Sequence, residues 1–148
     1  MLGGVASIRS GIGETMEDRY LFKAKHIHIL PGNNHLDGSW VVGFLSGERY
    51  IVNDSGEYLI DPSTICQCTG LKDKNGKLIW ENDIARDEHG NFYKAFWQNN
   101  YYQFSWICVK SDVFTIGIKW DLYVFRSFEI EVVGNIFDNK ELLESEEK

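Results

Sequence analysis

The sequence predicts a mainly β domain, in which antiparallel sheets form a small barrel-like or bent-sheet structure with one short C-terminal helix. Short apolar and aromatic runs follow one another from Met16 onward, separated by turn residues at intervals of about ten positions. Helical spacing of apolar residues is scarce over the same region. The 148 residues, 43% of them hydrophobic, can bury the core of one domain or two small ones and exclude a generally disordered chain.

The first half of the chain predicts one strand and then a three-stranded meander. Tyr20, Phe22 and Ala24 lie on one face of the first strand, and the apolar parity changes at Ile27. This change indicates a bulge or a strand break, because a shift of one residue moves side chains to the opposite face. Turn-forming residues fill positions 31–38. The predicted strands of the meander are 40–45, 49–53 and 58–60.

The second half predicts a series of hairpins. A helical turn or tight bend is expected at residues 61–64, where an Asp precedes a Pro. Asn75-Gly76 lies between extended residues, and this dipeptide is the strongest short hairpin signal. The last strand is expected to turn at 134–135 toward a short helical segment at 138–144, which an Asp can cap. The predicted strands are 65–69, 78–80, 84–86, 92–97, 101–109, 113–120 and 128–133.

Two of these strands are rich in aromatic residues, and their pattern favours a core or subunit-contact face. A base-stacking platform for single-stranded nucleic acid also uses aromatic strand faces, but it needs basic neighbours. Between Phe92 and Val109 only Lys94 supplies one. The residues expected to share this face are Phe92, Phe96, Tyr102, Phe104 and Trp106.

The charge balance of the chain opposes binding of nucleic acid over the whole surface. Lys and Arg number 15 against 22 Asp and Glu, which gives a net charge of −7 and a pI near 5.0. Such a chain lacks the broad basic field that gathers phosphates by counterion release. Two local clusters remain, and each fits either a small anion-binding patch or solvated strand and turn lysines. They are Arg19, Lys23 and Lys25, and Lys72, Lys74 and Lys77.

Three cysteines, Cys66, Cys68 and Cys108, do not match the disulfide framework of a small secreted domain. A reducing cytoplasm is therefore expected. A metal site on the first two would need further ligands, for which His26 and His28 are the candidates. The spacing in both pairs differs from that of the usual zinc ligands, and buried cysteines behave as small hydrophobic residues. We therefore expect no metal and no cofactor.

The division of the chain into parts follows from composition. Residues 1–15 contain four glycines and no aromatic residue, which indicates a disordered leader or an extraneous N-terminus. The expected domain covers 16–144, with a division into an N-terminal meander at 16–69 and a C-terminal β part at 70–144. Residues 145–148 are expected to fray. No apolar run approaches the roughly 18 residues of a membrane-spanning helix, so no membrane partner is expected.

Three motifs of the chain are specific when taken together. They are RYLFKAK at 19–25, CTGLKDKNGKLIWENDI at 68–84 and FEIEVVGNIFDN at 128–139. As a set they resemble the YopX family, over a region from Met16 to Leu143. The resemblance implies a small, mostly β protein encoded by a bacteriophage or prophage and located in the cytoplasm of a bacterial host. The family has no known function, so the resemblance implies no catalytic or ligand residues.

The residues do not predict an enzyme. The sequence contains no nucleophile-elbow, P-loop, zinc-protease or dinucleotide-binding pattern. The carboxylates between 81 and 89, together with His89, remain open as a metal-dependent cluster, although clustered acids in turns are usually solvated.

We expect a non-catalytic structural or protein-interaction module that associates with itself or with a phage or host protein. The alternative is a small-barrel nucleic-acid-binding protein, which lysine-bearing hairpins around an aromatic strand favour and the net charge opposes. The residues expected on the interaction surface are Tyr101, Trp106, Lys72, Lys74 and Lys77.

Overall fold

The computed structural model describes residues 18–27, 38–121 and 129–144. The chain divides into two compact units between Gly70 and Leu71, whereas the sequence-based division fell between 69 and 70. The predicted leader at 1–15, most of the predicted turn at 31–38 and the predicted tail at 145–148 lie outside the described residues.

The described strands form two antiparallel sheets. The strands are β1 (Phe22–Lys25), β2 (Trp40–Ser46), β3 (Tyr50–Asn53), β4 (Gly56–Leu59), β5 (Cys66–Lys72), β6 (Leu78–Trp80), β7 (Asp83–Asp87), β8 (Phe92–Gln98), β9 (Gln103–Lys110), β10 (Lys119–Asp121) and β11 (Ile130–Asn135). The first sheet has the order β4-β3-β2-β1-β5-β6 and the second the order β10-β9-β8-β7-β11. The mainly β prediction is therefore confirmed, with open sheets rather than a closed barrel.

Two 3₁₀ helices have described bounds, Pro62–Thr64 and Lys140–Leu143. The first confirms the turn predicted at 61–64, because the Asp61 carboxylate accepts a hydrogen bond from the backbone N–H of Ser63 at 3.0 Å. The second shows that the expected short C-terminal helix is a single 3₁₀ turn.

In the first unit the predicted meander is confirmed. Strands β2, β3 and β4 pair in sequence, with Phe44 opposite Val52 and Ile51 opposite Tyr58. Strand β1 pairs with the other side of β2 and ends at Lys25, near the predicted change of parity. The core of this unit contains Ala24, Ile51 and Ile60, packed against Phe22, Val41, Leu45 and Ile65.

The second unit buries an aromatic core on one face of its sheet. Tyr93 and Trp106 are fully buried there, and the ring of Trp120 meets Tyr93 edge-on, with centroids 5.6 Å apart. The small side chain of Ala95 lies directly opposite Trp106 on the neighbouring strand. The buried members are Ile79, Ala85, Tyr93, Ala95, Trp106, Cys108, Ile130 and Val132.

The prediction of one shared aromatic face is wrong for Phe92 and Phe96. The β8–β9 register pairs Phe96 with Ser105, next to the pair of Ala95 and Trp106. Because side chains alternate along a strand, Phe96 and Phe92 lie on the face opposite Trp106.

The strand predicted at 113–120 is also wrong over most of its length. The hydroxyl oxygen of Ser111 accepts hydrogen bonds from the backbone N–H groups of Val113, at 2.9 Å, and Phe114, at 2.8 Å. These bonds turn the chain, as does the positive φ of +97° at Gly117. Only the end of the predicted segment belongs to β10.

Strand β11 continues through the turn that was predicted at 134–135. The chain turns after Asn135, whose side-chain oxygen accepts the backbone N–H groups of Phe137 and Asp138, both at 2.9 Å. Gly134 does not form the turn. It allows the side chain of Asn139 to pack closely against the backbone, because a Cβ at position 134 would lie only 2.6 Å from Cγ of Asn139.

Two loops of the second unit, at 73–77 and 87–91, have the same design. Each starts with an Asp whose backbone N–H donates to the carbonyl of the fifth residue, at 2.8 and 3.0 Å. Each Asp carboxylate accepts the backbone N–H groups of the third and fifth residues at 2.9 Å. The fourth residue is a Gly with φ of +81° or +84°, as in three-residue hairpin loops that end in a glycine bulge. The predicted hairpin at 73–77 is therefore confirmed.

Asp73 also ties its hairpin to the edge of the second sheet. Its side chain is buried, and its second oxygen accepts the backbone N–H of Val132 at 2.8 Å. Beside it, the backbone N–H of Lys74 donates to the carbonyl of Ile130 at 3.0 Å. Because β11 is an edge strand of that sheet, Asp73 occupies a backbone donor that could otherwise pair with another chain.

We predict that Asp73→Ala lowers the free energy of unfolding by about 3 kcal/mol, because three backbone N–H groups lose a charged acceptor at a buried position. Urea unfolding followed by tryptophan fluorescence measures the change.

The matched control is Asp54→Ala, which removes an exposed aspartate from the turn between β3 and β4. This control should stay within about 0.5 kcal/mol of the parent protein. A loss at Asp73 no larger than the loss at Asp54 would contradict the role given to the buried carboxylate.

Candidate functional site

The structure separates the five residues expected on the interaction surface. Tyr101 is 68% exposed, and Lys72, Lys74 and Lys77 are exposed on the β5–β6 hairpin. The prediction for Trp106 is wrong, because this side chain is fully buried in the core of the second unit. An indole on the core face of a central strand cannot contact a partner in the folded state.

The metal hypothesis gains no support from the described residues. Among them, no group of three or more His, Cys, Asp or Glu side chains is arranged to hold a metal ion, and His28 lies outside them. Cys66, Cys68 and Cys108 are buried thiols. The carboxylate of Asp83 accepts a hydrogen bond from the backbone N–H of Trp80 at 2.8 Å, so this side chain stabilises the turn between β6 and β7.

Asp87 is the centre of a polar network at one end of the second sheet. In addition to the loop N–H groups, its carboxylate accepts the side-chain amide of Asn91 at 2.9 Å and the hydroxyl of Tyr93 at 2.8 Å. The hydroxyl of Ser111 donates to the side-chain oxygen of Asn91 at 2.6 Å. Cys108 lies directly opposite Tyr93 on the neighbouring strand.

Burial and hydrogen bonding shift the pKa values of three side chains in this network. Burial acts to raise the pKa of Asp87, but hydrogen bonds from Asn91, Tyr93 and His89 outweigh it and hold this pKa below its ordinary value of 3.8. Burial, together with the bond to Asp87, raises the pKa of Tyr93. Burial also raises the pKa of the Cys108 thiol, and a protonated buried thiol is a poor nucleophile. The hydrogen bonds of the network therefore stabilise the loop.

Three exposed aromatic residues of the second unit lie at the end of β8 and in the turn that follows it, residues 97–102, which we call the tyrosine tip. Tyr101 and Tyr102 are 68% and 81% exposed, and Trp97 is 40% exposed. Trp97 packs edge-on against Phe104, with ring centroids 5.1 Å apart. Gln98 lies opposite Gln103 and closes the turn. The rigid hairpin below thus holds two tyrosines in solvent.

Tyr102 has a backbone conformation that side chains other than Gly and Asn rarely adopt. Its φ is +53°, in the left-handed region, which costs an ordinary residue roughly 1 kcal/mol. The tip contains Asn99 and Asn100, which tolerate this conformation well, yet the strained position holds a tyrosine. Sequence reasoning singled out Tyr101 but missed Tyr102, because turn register decides which residue has positive φ.

The tip has the composition of a protein-contact surface. Residues 95–109 contain no charged side chain, although the chain as a whole carries a net charge of −7. Contact surfaces between proteins are depleted of charge at their centre and enriched in Tyr and Trp. Exposed Tyr and Asn together supply apolar area and adaptable hydrogen bonds at low entropic cost.

A comparison with protein families identifies the relatives of this chain. The model of the family described as YopX protein matches residues 38–144, which is most of the chain. The chain belongs to the YopX family. The matched region includes both aspartate loops and the tyrosine tip, and the family resemblance expected from the sequence is confirmed. No curated protein matches the sequence.

The described part of this YopX protein contains no helix of the length and apolar character needed to cross a membrane.

We predict that Asp87→Asn destabilises the protein at neutral pH and that this loss shrinks as the pH falls. The folded-state pKa of Asp87 is lowered, so its contribution is complete above the unfolded-state value of about 3.9 and is lost as the pH falls through the lower folded-state value. Urea unfolding of both proteins between neutral pH and about pH 3 measures the difference.

Glu88→Gln is the matched control, because it removes a charge from the same loop without removing an acceptor of backbone N–H groups. It should show a small effect at every pH. A difference between the parent protein and Asp87→Asn that stays constant over the whole range would refute the assigned role of the charge.

Proposed function

We propose that this YopX protein is a non-catalytic interaction module that associates with a second copy of itself through the tyrosine tip. The observation that supports the proposal most strongly is Tyr102, an 81% exposed aromatic side chain on a backbone with positive φ. A bulky residue held in a strained backbone conformation motivates the hypothesis of a role in function.

Charge favours a second copy as the occupant. Most of the surface of a chain with a net charge of −7 repels an identical chain. In a two-fold symmetric contact the same patch meets itself, so a charged patch faces like charge. The uncharged tip avoids this repulsion and is complementary to itself.

The shape of the tip favours association with little ordering cost. The β8–β9 hairpin below it is paired without interruption from Tyr93 opposite Cys108 to Gln98 opposite Gln103. Tyrosine and tryptophan have few rotatable bonds, so their immobilisation in a contact costs little entropy. We therefore assign Tyr101 and Tyr102 as the central contact residues, with Trp97 beside them.

We predict that Tyr102→Gly separates folding from association. Glycine relieves the positive φ, so the free energy of unfolding should stay equal or rise by up to about 1 kcal/mol. The dimerisation constant should weaken at least about tenfold, because an aromatic contact residue is lost. Sedimentation equilibrium over the micromolar range, with urea unfolding on the same samples, measures both quantities.

The control is Tyr50→Thr, which removes an exposed tyrosine from β3 of the first unit and keeps high strand propensity. Its dimerisation should equal that of the parent protein. A parent protein that stays monomeric throughout the concentration range would overturn the proposal, as would a Tyr102→Gly variant that dimerises normally.

A further inference from the structure

We propose that the second sheet binds single-stranded nucleic acid on the face opposite its aromatic core. This site lies apart from the tyrosine tip and does not rest on the proposed self-association. We call it the basic face. Its residues are Arg86, Phe92, Lys94, Ile107, Lys110 and Lys119.

Strand pairing assembles the basic face from residues that are far apart in sequence. One row across the sheet places Arg86 of β7 beside Phe92 of β8, which in turn lies opposite Lys110 of β9. A second row places Lys94 of β8 opposite Ile107 of β9, which pairs with Lys119 of β10. The two rows lie two residues apart along the strands, about 7 Å. Lys94 also lies opposite Ile84 of β7, which is fully buried, so the accessible part of the second row extends from Lys94 toward Lys119. Basic side chains therefore lie beside the half-buried apolar side chains of Phe92 and Ile107 on this face.

The lysine-bearing hairpin at 73–77 adjoins the first row. Its Asn75 amide lies 3.5 Å from Oε2 of Glu131, and the other carboxylate oxygen of Glu131 accepts Arg86 at 3.0 Å. The bond between the Asp73 carboxylate and Val132 holds the hairpin at this edge. The basic area thus extends from the sheet to Lys72, Lys74 and Lys77.

Five lysines of this area form no ion pair with another described residue, namely Lys72, Lys74, Lys77, Lys94 and Lys119. Two carboxylates in the described part of this face already have partners, since Glu131 pairs with Arg86 and Asp121 accepts a hydrogen bond from Gln103. The chain as a whole has a net charge of −7. Because the lysines are not paired with these carboxylates, the face is locally positive.

The ring of Phe92 on this face favours a single strand over other anions. The ammonium group of Lys110 lies 5.7 Å from the centroid of the half-buried Phe92 ring, so a cation and an apolar ring are adjacent. A single strand offers a phosphate to the lysine and an unstacked base to the phenylalanine ring. A duplex keeps its bases stacked, and an acidic peptide offers charge without a ring.

Fluorescence anisotropy with the full chain and a labelled thymidine oligomer of about 15 nucleotides tests the inference. We expect binding at low salt that weakens steeply as salt is added, because bound phosphates release counterions. The variant Lys94→Glu/Lys119→Glu should bind at least about tenfold more weakly. The variant Phe92→Leu, which keeps an apolar side chain, should weaken binding about tenfold without changing the slope against salt.

The matched control is Arg49→Glu/Lys140→Glu, which makes the same change in net charge at exposed residues outside the basic face. It should retain most of the binding, and thermal unfolding should confirm that all variants are folded. Any of four results would overturn the inference: no binding at low salt, equal losses in the two double variants, binding of a duplex as tight as that of the oligomer, or equal displacement of the oligomer by polyglutamate.

Discussion

The second unit depends on one interaction used twice, a carboxylate that accepts the backbone N–H groups of its own hairpin loop. Asp73 and Asp87 start loops with the same hydrogen bonds and the same glycine conformation. Each carboxylate then binds a group outside the loop, the Val132 N–H for Asp73 and the Tyr93 hydroxyl for Asp87. The loops therefore connect local turns to the sheet. A neutral side chain cannot satisfy as many donors, and an unsatisfied buried donor costs roughly 1 to 3 kcal/mol.

These two carboxylates place the proposed binding surfaces. Asp73 holds the lysine-bearing hairpin beside β11, where Asn75 and Glu131 connect it to the basic face. Asp87 orders the loop that precedes Phe92 and accepts the hydroxyl of Tyr93 on the core side of the same strand. The tyrosine tip lies at the other end of the β8–β9 hairpin. One rigid hairpin can thus present an uncharged tip and a basic sheet face to different partners.

The sequence predicted what local residues determine and missed what strand register determines. Asn75-Gly76 and the Asp-Pro pair at 61–62 contain their own turn chemistry, so those turns were predicted correctly. The positions of Trp106 and Phe96 depend on which residues of β8 and β9 face each other, and a shift of one residue reverses the face. Basic neighbours were counted only between Phe92 and Val109, so Lys110 and the basic residues that β7 and β10 place on the same face were not counted. The strain at Tyr102 also depends on turn register.

Amide hydrogen exchange followed by NMR tests the role of the loop-closing carboxylates most directly. The backbone N–H groups of Asn75, Lys77 and Val132 all donate to Asp73, so we expect slow exchange even though the first two lie in an exposed turn. In Asp73→Ala all three should exchange faster together, while amides in the β8–β9 pairing keep their protection. Rapid exchange of Asn75 and Lys77 in the parent protein, at the rate of the Glu88 amide in the other loop, would contradict the account.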